Sequence, residues 1–343
     1  MTEAESSKPT PHECWLPPGE VLIHVGPRKT GSSAIQAALG DATDKLRSLD
    51  YFLAPKVVDG VRAAQGALYK GKRPYWRRSL AVVNERGDSG RGLISEEMLH
   101  RLSVDQGKRL VDRLGGPDQV RILITNRPLS KSMPSLWQQR VKTGFTSQSL
   151  KHWLRDLLGN PDHEGWLAQR LDYYFDHWAK ILPTDRITIL PVGYDHGDLI
   201  EEFEQLIGLP DQTLDRLIRN VSLTLQQAEM LRYRNQLLAE AGLERRRSKL
   251  FLQSTWARQD GTPVVLPEWA RAQVAELQAE VVANIKERDA QIVGGYDRLL
   301  NIPRLPPHQP LSAADRKFAR FAGEYTARLL EQLPVDLTSD GAG

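Results

Sequence analysis

The chain is poor in cysteine, in net charge and in long apolar runs, and each shortage removes a class of protein. Its 343 residues hold one cysteine, Cys14. A lone thiol closes no internal disulfide and builds no cysteine metal site. Nothing in "PHECWLPPG" supplies Cys14 with a base, so it reads as a bystander in a loose N-terminal arm. With 46 Lys+Arg against 43 Asp+Glu, the net charge is only +3. Overall charge makes no case for a nucleic-acid binder, and any affinity for anions has to be local. No stretch approaches the ~20 apolar residues that span a bilayer. The segment "MTEAESSKPTPHE" lacks the charged-then-apolar layout of a secretion signal. The expectation is a cytoplasmic protein with no integral membrane segment and no nucleic-acid partner. Apolar content of 40% and charged content of 26% are those of an ordinary globular chain, long enough to bury a core.

What is present is an alternation of strands and helices. Residues 1–19 read as a flexible arm rich in Pro, Ser, Thr and Glu. Val21–Val25 reads as a buried strand, and a helix starts at Ser32. "YFLAP" (51–55), "GLIS" (92–95), "QVRILITN" (119–126) and "RITILPVGYD" (186–195) read as further strands, with "EEMLHRL" after Ser95 turning helical. Residues 56–90 are basic and show no period. "LTLQQAEMLRYRNQLLAEAG" and residues 268–291 read as helices. The proline-rich stretch 303–311 reads as a linker before a last helix over 312–333, opened by Ser312 with Asp315. This pattern predicts an α/β fold: a parallel sheet flanked by helices, with helical C-terminal additions. The predicted domain runs over 20–302, with a helix and tail over 312–343. That last helix is either a dimer arm of a homo-oligomer or a segment packed back on the domain. No internal repeat is present.

In a parallel sheet, ligands sit beyond the carboxyl ends of the strands. Three polar stretches, 26–33, 95–97 and 126–135, each follow directly on a predicted strand and are expected at one sheet edge. The first, "GPRKTGSS", nearly spells the phosphate loop G-x-x-x-x-G-K-[ST]. Gly26 and Gly31 keep the spacing, but Ser32 stands where the lysine belongs, and Lys29 lies inside the loop. Backbone N–H groups at a turn and helix start still suit a phosphate. Ser32 and Ser33 can cap the helix, and Lys29 can reach a terminal anionic group. The case for ATP with magnesium is weaker, because "ILITN" ends in Asn126 rather than an acid. The third stretch, "ITNRPLSKSMPSLW", sets Arg127 directly after a strand and Ser135 eight residues on. If the segment is helical, these two can share a second anion.

With both motifs in place, the chain resembles the PAPS-dependent sulfotransferases of the bacterial, carbohydrate type. That family has a P-K-x-G-[ST]-[ST] loop after its first strand, matched here with one displaced step by Pro27, Arg28, Lys29, Thr30, Gly31, Ser32 and Ser33. It also has a 3′-phosphate motif of Arg, Pro and a following Ser, matched by "RPLSKSMPS". The resemblance implies that the fold is P-loop-like, with a metal-free site for PAPS and PAP as product. Arg28, Lys29, Thr30, Gly31, Ser32, Ser33, Arg127 and Ser135 would bind the donor, and Lys29 would meet the moving sulfuryl group. It implies a carboxylate or histidine base beside the first strand. Glu96 is preferred for that role, Glu97 comes second, and His24 and His100 are weaker candidates. The acceptor would be a hydroxyl of a carbohydrate or small metabolite. The basic, aromatic stretch "YKGKRPYWRR" and the run "ERRRSK" are candidates for anion or sugar contacts, or plain solvated surface. Two rivals stand beside this reading: a P-loop kinase with a displaced lysine, and a non-catalytic nucleotide-binding protein.

Overall fold

The computed structural model describes residues 15–55, 74–97, 99–160, 163, 169–194, 198–216, 222–242, 261–302, 304 and 306–332. Cys14, Tyr69–Arg73 of the basic stretch and the run 244–249 lie outside the described residues. The chain divides into two compact units. One comprises residues 1–128, 167–219 and 277–303, the other 129–166, 220–276 and 304–343. One of the crossings thus falls at the start of the proline-rich stretch.

The first unit is built on a six-stranded sheet: β1 (Val21–Val25), β2 (Tyr51–Leu53), β3 (Arg91–Ser95), β4 (Val120–Asn126), β5 (Ile187–Pro191) and β6 (Gln291–Ile292), in the order β2-β3-β1-β4-β5-β6. Every pairing is parallel. Strands covered on both faces read as near-continuous apolar runs, and β1 and β4 do. Alternation then sorts the side chains between two cores. Val21, Ile23 and Val25 join Ile122, Ile124, Ile187 and Ile189 under the helix Leu171–Ala179, with Tyr174, Phe175 and Trp178. Leu22, Leu93, Leu123 and Leu190 face the other way, onto Ile35 and Leu39 of the helix Ser32–Asp41 and Phe203 and Ile207 of the helix Leu199–Ile207. The sheet is thus sandwiched by helices, as expected.

The strands run from β1 outward to β2, back to β3, and across to β4. The chain therefore reverses direction at β1, and in such sheets the carboxyl end of the strand at the reversal, here flanked by β3 and β4, is where ligands bind. At the opposite end Glu20 pairs with Arg121 and with Arg186 (2.7 Å).

Several boundaries differ from expectation. The helix Pro74–Asn84 occupies part of the stretch that shows no period in sequence. The segment after Ser95 makes only a short 3₁₀ turn, Leu99–Arg101, because Ser103 and Gln106 form a capping box that starts the next helix at Val104. The long helix ends at Glu287, and β6 takes the last residue assigned to it.

The second unit is helical. It holds the helices Leu129–Lys142, Leu150–Leu158, Leu225–Glu240 and Ala313–Gln332. Thr224 and Gln227 cap the third reciprocally. Gln138 accepts from the Leu223 N–H at 2.9 Å, and Asn235 donates to the Val141 carbonyl at 2.7 Å. The last helix packs on Leu225–Glu240 through Ala327 and Leu330 against Leu238. Ser312 caps it, accepting from the Asp315 N–H at 3.0 Å, while its hydroxyl donates to the Asp315 carboxylate at 2.7 Å. Trp137, Trp153 and Trp178 are all core residues. Among the described residues, no helix is long and apolar enough to cross a membrane.

Candidate functional site

The segment leaving β1 makes a tight loop and re-enters a helix at Ser32. Two glycines make this possible. Gly26 lies so close to β4 that a Cβ there would sit 2.5 Å from the Thr125 hydroxyl and 2.6 Å from its carbonyl oxygen. Gly31 takes the helix N-cap position with φ 95°, a left-handed conformation that glycine adopts without strain. Lys29 is also left-handed, with φ 73°. That is unfavourable for a lysine by roughly 1–2 kcal/mol, so the surrounding loop has to hold it there.

A chain of buried hydroxyls does the holding. The Thr30 hydroxyl donates to the Pro27 carbonyl at 2.7 Å and meets the Thr125 hydroxyl at 3.0 Å. Thr125 in turn meets Nε2 of His24 at 3.2 Å, and Nδ1 of His24 meets the Ser95 hydroxyl at 2.8 Å. One neutral tautomer serves the whole chain: Ser95 donates to Nδ1, Nε2–H donates to Thr125, and Thr125 donates to Thr30. Burial enforces that neutrality, pushing the His24 pKa down to about 3. His24 is therefore the strut that ties β1, β3 and β4 together beneath the loop.

The loop's remaining groups are left for a ligand. The helix Ser32–Asp41 has no side-chain cap and no acid in its first turn. Its positive end and first N–H groups are open to an anion. The Ser32 hydroxyl is buried and has no hydrogen-bond partner, which is costly unless something accepts or donates there. Ser33 is exposed. The Thr30 hydroxyl is committed inside the loop, so its share in ligand contact falls to its N–H.

Charge gathers around Lys29. Arg127, directly beyond β4, donates to the Lys29 carbonyl at 3.4 Å. Asn126 before it is fixed by Tyr194, whose hydroxyl donates to the Asn126 side-chain oxygen at 2.6 Å. From beyond β3, the Glu97 carboxylate lies 3.8 Å from Nε of Arg28. Burial pushes the Lys29 pKa down, Arg127 adds to that, and Glu97 opposes it. Burial also raises the Glu97 pKa, against the pull of Arg28 and Lys29 and with the push of Glu96. Glu96 continues the sheet, its N–H donating to the His24 carbonyl at 3.0 Å. His100 stacks on Tyr174 at 4.4 Å, with Nδ1 3.2 Å from the Glu97 carbonyl oxygen, and its pKa falls to about 4 by burial.

The structure thus brings Arg28, Lys29, Thr30, Gly31, Ser32, Ser33, Glu96, Glu97 and Arg127 to one sheet edge. Ser135 is half-buried on the helix Leu129–Lys142, in the second unit. The sequence singles out neither Thr125 nor Tyr194 as a site residue. The one local sign was a polar step, Thr-Asn, at the end of an otherwise apolar strand.

Among solved structures, the chain is similar to a sulfotransferase from Alicyclobacillus acidocaldarius, at 14% identity and a TM-score of 0.44, over 82% of this chain and 98% of that one. No family model and no curated protein matches the chain.

Proposed function

We propose that the protein moves a sulfuryl group from PAPS to a hydroxyl of a carbohydrate or small-metabolite acceptor. The observation that carries this is the pairing of Lys29, held left-handed in the loop, with Glu97, a carboxyl whose pKa burial raises at the neighbouring strand end. An amine that stabilises developing negative charge and a carboxylate of raised basicity, both beside an uncapped helix, suit the transfer of an anionic group to a hydroxyl. The orphaned Ser32 hydroxyl and the close-packed Gly26 turn fit a 5′-phosphate.

PAPS supplies the sulfuryl group, and PAP leaves with the electrons of the broken S–O bond. The residues divide the remaining work. Glu97 takes the acceptor proton as the acceptor oxygen bonds to sulfur, so we favour it over Glu96. Lys29 meets the charge that grows on the oxygen between phosphorus and sulfur. The N–H groups of 30–33 and the Ser32 hydroxyl hold the 5′-phosphate. Arg127 is the candidate for the 3′-phosphate, since its planar fork suits one.

Calorimetric titration tests this. Tight binding of 3′,5′-ADP without metal, weakened by Arg127→Ala, together with little affinity for MgATP, is expected. Preference for MgATP would replace the sulfotransferase reading by the kinase one. Binding of 3′,5′-ADP with no transfer to any acceptor in a labelled-PAPS screen would leave a binding protein.

A further inference from the structure

The last helix, Ala313–Gln332, buries one face and leaves a second apolar face in water. Ala319, Gly323, Thr326, Ala327 and Leu330 are buried. Phe318, Phe321, Tyr325 and Leu329 are 68%, 66%, 58% and 40% exposed. These four fall at i, i+3, i+7 and i+11, which puts them on one stripe. Three aromatics and a leucine in a row are unusual on a free surface, whereas such residues concentrate at the centres of interfaces.

From this stripe we infer that the helix is a dimerisation surface whose partner is a second copy of this chain, packed antiparallel about a two-fold axis. The spacing is close to symmetric about the middle of the helix. An axis between Gly323 and Glu324 sets Phe318 opposite Leu329 of the second copy and brings Phe321 within one residue of Tyr325, then repeats both contacts by symmetry. That self-matching is what a two-fold interface requires. The charges favour the same direction. The first half of the helix carries Asp315, Arg316, Lys317 and Arg320, and the second half carries Glu324, Arg328 and Glu331. The halves are net basic and net acidic, so an antiparallel pair sets opposite signs together and a parallel pair sets like signs together. Helix dipoles also oppose favourably in the antiparallel pair. A lipid surface is the less fitting occupant, because acids are interspersed with the cations flanking the stripe, whereas membrane-surface helices carry a strongly basic polar face.

Sedimentation of the full chain over a dilution series is the test. The wild type is expected to sediment as a dimer that dissociates on dilution. Phe321→Glu and Tyr325→Glu should each weaken association about tenfold or more, giving half the mass at equal concentration with unchanged helix content. In a Cys14→Ser background, Ala322→Cys, next to the axis, should form a disulfide-linked dimer, and Leu329→Cys, far from it, should not. A wild type that stays monomeric at every concentration overturns the inference, including one that instead floats with anionic vesicles. So does a dimer that survives both glutamate substitutions, and so does equal cross-linking at 322 and 329, which marks a parallel pair.

Discussion

Replacing Thr125 by valine removes one oxygen from beneath the loop and changes little else in shape. That oxygen serves two side chains, Nε2 of His24 at 3.2 Å and the Thr30 hydroxyl at 3.0 Å. Thr30 keeps its bond to the Pro27 carbonyl, and His24 keeps Ser95. Nε2 of His24 is left alone in a site only 1% exposed. An orphaned buried polar group costs about 1–3 kcal/mol, and the added methyl offsets little of this because it presses on Gly26, whose position already tolerates no Cβ. The expected loss of stability is therefore roughly 1–3 kcal/mol. The slackened loop should also bind 3′,5′-ADP more weakly. Urea unfolding followed by tryptophan fluorescence and far-ultraviolet circular dichroism measures the first effect, and calorimetry the second. Thr125→Ser, which restores the oxygen, should recover most of both. If Thr125→Val stays within about 0.5 kcal/mol of the wild type, the range of an inert substitution, and binds 3′,5′-ADP as tightly, the hydroxyl chain is not what holds the loop.

Four further outcomes follow from the same geometry. Lys29→Ala should lower transfer from PAPS at least about a hundredfold while 3′,5′-ADP binding falls less; full activity in this variant removes Lys29 from the chemistry. Glu97→Gln should lower transfer at least about a hundredfold and remove the acidic limb from the remaining kcat/KM profile, a limb that in the wild type lies above the ordinary carboxylate range because burial raises this pKa; loss in Glu96→Gln with Glu97→Gln active would move the base by one residue. Stability should be full above pH 6.5 and fall as pH drops toward 3, since the unfolded chain takes up a proton that folded His24 refuses until about 3; the slope is about 1.4 kcal/mol per pH unit for this histidine, and a flat acid limb in urea midpoints would contradict its burial. Gly31→Ala should weaken 3′,5′-ADP binding, because a Cβ there meets Leu199 at 2.4 Å on a left-handed residue; unchanged affinity would show that the loop tolerates a shift.

Much of the sheet was legible because β1, β3, β4 and β5 are covered on both faces, which forces runs of Val, Ile and Leu. β6 was not, since two residues carry no pattern. The helix Pro74–Asn84 was hidden by a run of basic and aromatic residues at its start. At the site, the loop glycines, Lys29 and Arg127 announce themselves by spacing, as their backbone roles are local. The struts do not. His24 finds Ser95 and Thr125 only through strand register, across 71 and 101 residues, and no local pattern encodes that. The order of Glu96 and Glu97 was unreadable for a related reason. The sheet's hydrogen bonding runs one residue past Ser95 through the Glu96 N–H, and the carboxylate that lies beside Arg28 is that of Glu97.

The central position of β1 also has a consequence in time. The loop leaves the ribosome before its supports, which arrive with β3 and β4. Pairing over such separations is slow, because the closure of long loops comes before any gain from contact. A nascent chain cut before Thr125 would carry every residue of "GPRKTGSS" and still lack the shape that grips an anion. On the proposed reading, affinity for 3′,5′-ADP is thus a late reporter of folding, acquired only when the middle of the sheet is complete.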